Sequence, residues 1–274
     1  MKPNRSSTSG LPTLTPSPIA WTIAGSDSGG GAGIQADLKV MSAFGVHGCS
    51  VITALTAQNT LGVQAVEPVS TSMLRAQLDA LAADLPPAVI KIGMLGGLET
   101  CTLVAEFLQT VEAPVVLDPV LKSTSGTDLL NPAAIDILIR EIFPRVTVLT
   151  PNLPETELLT GHAIESVEEA ADEILAMGVE SVLIKGGHAE GDECCDFWSA
   201  GGTCCWLTSP RIETRHTHGT GCILSAAIAS AIALGQDTME AVQTAKSFMN
   251  DCLLNPANVG AGHGAMMIKP PTIR

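Results

Sequence analysis

The sequence predicts an α/β fold, a three-layer αβα sandwich with a largely parallel central sheet and a small β-hairpin. Short aliphatic runs alternate along the chain with segments of helical periodicity, which is typical of repeated β-then-α units. The aliphatic runs are continuous rather than alternating with polar residues, as expected of strands buried on both faces of a parallel sheet.

The predicted elements follow one another from residue 19 onwards. Strands are predicted at 19–24, 49–56, 89–92, 115–117, 146–149 and 182–185. Helices are predicted at 34–44, 219–234 and 239–254, and around Leu74, Leu78 and Leu81, which share one helical face. A further helix begins at Ser166, which forms a capping-box pattern with Glu169, and ends at Gly178.

Eight cysteines occur in a chain without export features, so most are expected to be reduced thiols. The pairs Cys194-Cys195 and Cys204-Cys205 lie within the predicted hairpin, 194–207. A zinc site is one interpretation, but adjacent side chains on a strand point to opposite faces and the spacing is not C-x2-C. Packing of small thiols in a hairpin is the favoured interpretation.

The chain has 274 residues, of which 46% are hydrophobic, enough for a large core in one domain, although two domains would also fit the length. We predict a single domain over residues 19–274. Residues 1–18 are rich in Ser, Thr and Pro without an apolar segment, and are predicted to be a disordered tail rather than a targeting signal.

The formal net charge of −14, without any basic run, argues against nucleic acid or an anionic membrane as a partner. The sequence also lacks the ~18 to 20 uninterrupted apolar residues of a membrane helix. A phosphorylated small molecule remains compatible, because backbone amides at a helix N-terminus bind anions locally.

Ligands of open α/β sheets bind at the carboxyl ends of the strands. The first strand is followed by a glycine-rich segment, 25–37, which matches neither the Walker nor the dinucleotide-binding pattern. Its small residues predict a tight turn that backbone or ligand approaches closely. Gln58 ends the second strand, where its amide suits the edge of a nitrogen heterocycle or is simply solvated.

Two carboxylates, Asp118 and Glu155, follow neighbouring predicted strands. They suit Mg²⁺ that also takes substrate phosphates, and they equally suit helix caps.

The segment 214–222 carries the most specific pattern. Gly219, Thr220 and Gly221 at a helix start expose successive amides to an anion, which would stabilise a transferring phosphoryl group. The same helix dipole is expected to lower the pKa of the Cys222 thiol. The alternative is that Cys222 is a small buried hydrophobe.

Taken together, the motifs resemble the hydroxymethylpyrimidine/phosphomethylpyrimidine kinase family of the ribokinase superfamily, from about residue 19 to the C-terminus. The matching segments are AGSDSGGGAGIQADLK (24–39), CSVITALTAQNT (49–60), KIGML (91–95), LDPV (117–120), TPNLPE (150–155), KGGH (185–188) and THGTGC (217–222).

The resemblance implies a ribokinase-like kinase that transfers the ATP γ-phosphate to 4-amino-5-hydroxymethyl-2-methylpyrimidine and then to its monophosphate, for thiamine biosynthesis. It implies that the pyrimidine is surrounded by Gly25, Asp37, Gln58, Met94 and Val120. ATP would lie by Lys185, Gly186 and Gly187, and Mg²⁺ by Asp118 and Glu155. Residues 219–222 would form the anion hole, with Cys222 either taking the proton of the substrate hydroxyl or only positioning that hydroxyl.

A cytoplasmic homodimer is expected from the same resemblance. Two alternatives stay open: a pyridoxal or pyridoxine kinase, and a catalytically silent vitamin-binding protein on the same fold. Cys222 favours the pyrimidine, because dedicated pyridoxal kinases tend to carry Asp there. Retention of Asp118, Glu155, Lys185 and the Gly-Thr-Gly loop argues against a silent binder.

Overall fold

One sheet of nine strands organises the computed structural model, which describes residues 16–121, 130, 132–187 and 191–271. The strands are β1 (Ile19–Asp27), β2 (His47–Asn59), β3 (Gly62–Pro68), β4 (Val89–Ile92), β5 (Val115–Leu117), β6 (Val148–Leu149), β7 (Val182–Ile184), β8 (Glu193–Ala200) and β9 (Thr203–Pro210). Their order is β3-β2-β1-β4-β5-β6-β7-β8-β9. The six central strands, β2-β1-β4-β5-β6-β7, pair in parallel, while β3, β8 and β9 are antiparallel additions at the edges.

Helices cover both faces of the sheet. They are α1 (Gly33–Ala43), α2 (Thr71–Asp84), α3 (Leu98–Leu108), α4 (Pro132–Ile137, continued by helical turns to Arg145), α5 (Leu153–Thr160), α6 (Val167–Ala176), α7 (Thr220–Ala233) and α8 (Thr238–Leu253). Successive strand residues face opposite layers: Val116 packs with α1, α7 and α8, whereas Leu117 packs with the helices of the other face. The predicted three-layer α/β sandwich with a largely parallel sheet is therefore confirmed.

The predicted strands and helices are present with small shifts of their ends, and the structure adds β3, α3, α4 and α5. Ser166 caps α6 by accepting from the Glu169 amide at 3.2 Å, but its hydroxyl donates to Glu168, so the reciprocal half of the predicted capping box is replaced. Gly178 follows the end of α6 with φ +106°, as predicted. Within the described residues, the helices are too short or too polar to cross a membrane.

The predicted hairpin is β8 with β9, and its register separates the two cysteine pairs. Cys194 and Cys195 lie opposite Ser209 and Thr208, towards the open end of the hairpin, whereas Cys204 and Cys205 lie next to its turn. All eight cysteines are free thiols. Two predictions concern positions outside the described residues. They are the disordered tail at residues 1–15 and the last residue, 188, of the KGGH segment.

Candidate active site

The glycine-rich turn between β1 and α1 is built around the Asp27 carboxylate. This carboxylate accepts hydrogen bonds from the backbone amides of Gly29, Gly31 and Ala32 at 2.8 to 3.0 Å. It is also 2.9 Å from Nε2 of His218. Burial alone would raise the pKa of Asp27, but the hydrogen bonds from His218, Gly29 and Ala32 hold it below its usual value. Asp27 is therefore an anion that shapes the turn.

The small residues of this turn predict that another part of the protein or a ligand comes close to it. The structure places the segment that precedes α7 there. Gly219 has φ +83°, and a Cβ on it would stand 2.0 Å from the carbonyl oxygen of Gly31. A Cβ on Gly31 would in turn stand 2.5 Å from Cδ2 of His218. Glycine is required on both sides because two backbone segments touch. The glycine-rich turn and the start of α7 thus form one wall.

A charged cluster of Asp118, Glu155 and Lys185 lies at the carboxyl ends of β5, β6 and β7. Nζ of Lys185 is 2.8 Å from Oδ1 of Asp118 and 3.9 Å from Oε2 of Glu155. Burial raises the pKa of Glu155 to about 7, against the opposing charge of Lys185. The two carboxylates raise the pKa of Lys185 above its usual value despite its burial. The cluster therefore couples one cation to two carboxylates at the predicted ligand-binding edge.

The helix-cap interpretation of Glu155 is confirmed, and the magnesium interpretation stays a prediction. Its carboxylate accepts from the Asn152 amide while the Asn152 side chain accepts from the Glu155 amide, which completes a capping box at the start of α5. The carboxylate oxygens of Glu155 and Asp118 are also the hard ligands that Mg²⁺ prefers. In the described part of the chain, no group of three or more His, Cys, Asp or Glu residues gathers around one metal position. The donor set fits Mg²⁺ only when phosphate oxygens and water complete it.

The first turn of α7 lies directly over this charged cluster. A Cβ on Gly221 would stand 2.9 Å from Oδ2 of Asp118 and 3.3 Å from Nζ of Lys185. The start of α7, the Lys185 ammonium and the Asp118 carboxylate thus border one small space, where the helix dipole and the ammonium favour an anion. This places the predicted Gly-Thr-Gly anion site next to Asp118 and Lys185.

The expected low pKa of Cys222 is wrong. Burial raises the pKa of its thiol to about 11, although the nearby Lys91 ammonium and Gly33 amide oppose this rise. Loss of water around the thiolate outweighs the favourable helix dipole, and the charges of Asp37 and Asp118 raise the pKa further. Cys222 is therefore a neutral thiol near pH 7.

Asp37 is part of a fully buried ion pair rather than of an open pocket wall. Its Oδ2 lies 2.8 Å from Nζ of Lys91, and both side chains are 0% exposed. The Thr22 hydroxyl donates to the same oxygen at 2.6 Å. Burial alone would lower the pKa of Lys91, but the adjoining Asp37 carboxylate more than offsets this and the pKa is raised. Oδ1 of Asp37 is buried and has no hydrogen-bond partner among the described residues.

The other predicted pyrimidine contacts lie at the ends of β1, β2, β4 and β5. Gly25 is packed against Met94, since a Cβ on Gly25 would stand 2.3 Å from the Met94 methyl carbon. The amide nitrogen of Gln58 lies 3.2 Å from Nε2 of His218, so Gln58 contacts the segment before α7. Val120, in the turn after Asp118, is half-buried. The structure brings Gly25 and Met94 together, and links Gln58 to the start of α7.

The predicted ATP-binding turn is held by the cysteine-rich hairpin. The Gly186 amide donates to Oδ1 of Asp196 at 2.8 Å, and Asp196 is paired with Lys246 of α8. A Cβ on Gly186 would stand 1.8 Å from the Cys195 carbonyl oxygen. The Gly186 amide is thus engaged inside the protein and does not face the ligand edge, whereas Gly187 lies beyond this contact.

Three residues of the site escaped the analysis of the sequence: Asp27, Lys91 and His218. Lys91 had a usable indication, because a lysine within the aliphatic run 89–92 is a buried charge that requires a partner. Asp27 and His218 lie in quoted motifs, but their contact joins positions 191 residues apart. No spacing rule connects them.

The chain matches the family model described as phosphomethylpyrimidine kinase over residues 27–267. It is 49% identical over 252 residues to a hydroxymethylpyrimidine/phosphomethylpyrimidine kinase of Rhizobium meliloti (strain 1021), covering 90% of this chain and 95% of that relative. The crystal structure of phosphomethylpyrimidine kinase from Clostridium difficile 630 is similar with a TM-score of 0.76 and 41% identity, over 85% of this chain and 98% of that one.

The pyridoxal kinase from Staphylococcus aureus in complex with ADP is similar with a TM-score of 0.87 and 32% identity, over 94% of this chain and 96% of that one. The fold is thus the ribokinase-like fold that the sequence predicts. The matched family model and the relatives show that the chain belongs to the phosphomethylpyrimidine kinase family.

Proposed function

We propose that this protein phosphorylates 4-amino-5-hydroxymethyl-2-methylpyrimidine with ATP, first to the monophosphate and then to the diphosphate, for thiamine biosynthesis. The observation that carries the proposal is the contact between the first turn of α7 and the charged cluster, where Gly221 meets Asp118 and Lys185. Amides and an ammonium around one small space stabilise the spread negative charge of a transferring phosphoryl group.

On the nucleotide side, ATP would lie along the turn that contains Lys185 and Gly187, while Gly186 supports that turn from within. Lys185 would neutralise phosphate charge. The amides at the start of α7 would hold the transferring group, apart from that of Thr220, which donates to the Thr217 carbonyl oxygen at 3.4 Å. Mg²⁺, held by Asp118 and Glu155, would supply further charge neutralisation when bound. The ADP complex of the related pyridoxal kinase from Staphylococcus aureus supports a nucleotide site on this fold.

On the acceptor side, the pyrimidine would lie between Gln58, Met94, Gly25 and Val120. Gln58 donates and accepts hydrogen bonds along one edge of the heterocycle. Asp37, which is fully buried and paired with Lys91, would support this pocket from within rather than touch the heterocycle. The hydroxymethyl group would then point to Cys222 and the start of α7.

Cys222 positions the substrate hydroxyl as a neutral thiol in this proposal. Its pKa of about 11 lies above the pH range of the assay, so the thiolate population is small at pH 6 to 9. We expect Cys222→Ala to raise KM for the pyrimidine more than it lowers kcat, and Cys222→Ser to keep kcat within about threefold. Steady-state kinetics across that pH range check this. A kcat that rises with deprotonation of the thiol, and that Cys222→Ser abolishes, would show that Cys222 is the base.

The proposal also covers the domain organisation, the cellular location and the oligomeric state of the protein. Residues 19–274 would form a single domain, working in the cytoplasm, in agreement with its free cysteines. A homodimer would form at the sheet edge made by β3 and its neighbour β2, where Leu55 of β2 and Val63 and Val66 of β3 are 51%, 38% and 42% exposed. Sedimentation of the purified protein at several concentrations measures the mass that decides this.

A pyridoxal kinase is the second candidate function, favoured by the similarity to the pyridoxal kinase from Staphylococcus aureus. The test is product analysis after incubation with Mg-ATP and each vitamin precursor separately, using mass spectrometry. We expect pyrimidine monophosphate and diphosphate. Pyridoxal phosphate as the sole product would favour the second candidate, and ATP binding without any product would favour a silent binder.

A further inference from the structure

His218 contacts two groups through the same ring nitrogen. Its Nε2 lies 2.9 Å from Oδ2 of Asp27 and 3.2 Å from the amide nitrogen of Gln58. The side chains of His218 and Asp27 are only 13% and 4% exposed. His218 therefore joins the glycine-rich turn to the residue that would read the heterocycle, and neither Asp27 nor His218 has a part in the function proposed above.

The contact with Asp27 determines which nitrogen of His218 carries a proton. Asp27 is an anion, because it accepts three backbone amides in addition to His218. An unprotonated Nε2 would set its lone pair against the carboxylate at 2.9 Å. Nε2 therefore carries a hydrogen and donates it to Asp27.

The protonated Nε2 constrains the amide of Gln58. With its nitrogen towards His218, the amide would set two donors against each other. On its other side, the oxygen of that amide lies 3.3 Å from the Thr56 hydroxyl, whose single hydrogen is already donated to the Ser26 carbonyl at 2.9 Å. Exchanging the amide oxygen and nitrogen of Gln58 removes both conflicts. The nitrogen then donates to Thr56, and the oxygen faces the single Nε2 hydrogen of His218, which it shares with Asp27 as the weaker branch of a bifurcated hydrogen bond.

We infer that Asp27 and His218 are positioning residues that fix the orientation of the Gln58 amide, and through it the choice of heterocycle. In this orientation one N–H and one lone pair of Gln58 remain for a ligand. They match an amino group beside a ring nitrogen, the pattern of an aminopyrimidine that a pyridine ring such as that of pyridoxal does not present. The inference rests on the function proposed above and assigns its specificity.

The test compares His218→Leu, which cannot donate, with His218→Gln, which places a donor N–H at a similar reach. KM and kcat are measured for the pyrimidine, pyridoxal and ATP. Loss of one oriented hydrogen bond is expected to raise KM for the pyrimidine about tenfold. The preference for pyrimidine over pyridoxal, as a ratio of kcat/KM, is expected to fall by about the same factor. KM for ATP is expected to stay within about twofold, and His218→Gln to recover most of the loss.

His162→Leu is the matched control, because His162 forms a similar pair with Glu173 at 2.9 Å on the exposed surface beyond α5. It is expected to leave all three KM values unchanged. Unchanged discrimination in His218→Leu would overturn the inference, as would an equal loss in His218→Leu and His218→Gln with KM for ATP raised in parallel. Wild-type protein that makes no pyrimidine phosphate would instead overturn the proposed function, and this inference with it.

Discussion

Replacing Gly219 by alanine is expected to lower kcat for pyrimidine phosphorylation by about 10²-fold. The added Cβ would stand 2.0 Å from the Gly31 carbonyl oxygen, at a backbone φ of +83° that L-residues rarely adopt. The start of α7 must then move away from the glycine-rich turn, and the amides of the anion site move with it. Steady-state kinetics of the purified variant measure the loss.

Gly235→Ala provides the control at the other end of the same helix. Gly235 has φ +92°, and its Cβ would meet open space within the described structure. Each substitution is expected to cost about 1 to 2 kcal/mol in the free energy of unfolding, from the left-handed backbone alone. Only Gly219→Ala should lose kcat. Equal kcat in the two variants would mean that the contact between Gly219 and Gly31 does not shape the anion site.

Replacing Lys91 by methionine is expected to lower the free energy of unfolding by about 3 to 5 kcal/mol. The substitution leaves the Asp37 carboxylate buried without its counter-charge, at a position where both partners are 0% exposed. Denaturant unfolding of the variant and the wild type measures the difference. The double variant Asp37→Asn/Lys91→Met is expected to recover much of the loss, because it removes the unpaired charge.

The loss of stability in Lys91→Met is expected to depend on pH. Burial raises the pKa of Asp37, and the charge and hydrogen bond of Lys91 oppose this rise. Lys91→Met removes that opposition, so the pKa of Asp37 rises further. A group whose folded-state pKa is raised loses stability as pH rises through that value, because the unfolded chain releases the proton more easily. The destabilisation by Lys91→Met should therefore be smaller near pH 5 than near pH 8. A difference independent of pH would show that lost packing, not the orphaned carboxylate, causes it.

The sequence predicts well those elements whose residues are buried in a regular pattern. β4 (Val89–Ile92) and β5 (Val115–Leu117) are continuous aliphatic runs buried on both faces, so their bounds were predicted to the residue. β3 was missed, because its residues are almost all exposed and only pairing with β2 makes it a strand. The start of α5 stayed one of two open interpretations, because Glu155, which caps it with Asn152, also suits a metal site.

The site was predicted in its residue types more than in its electrostatics. The pattern Gly-Thr-Gly-Cys predicts an anion site at the start of α7, yet the pKa of Cys222 depends on burial that only the folded structure defines. Asp37 was expected beside the ligand, but the partner that holds it, Lys91, comes from β4, 54 residues away. Contacts of this kind depend on which strands are neighbours, and the aliphatic runs do not reveal strand order.

The most direct test of the account is the stoichiometry of the reaction run to completion. The pyrimidine is incubated with excess Mg-ATP, and ADP is counted against pyrimidine consumed, with an acceptor-free sample subtracted. Successive transfer at one site predicts two ADP per pyrimidine and a diphosphate as the final product. One ADP per pyrimidine, with the monophosphate accumulating, would contradict the second transfer, and no ADP above the acceptor-free sample would contradict the kinase function itself.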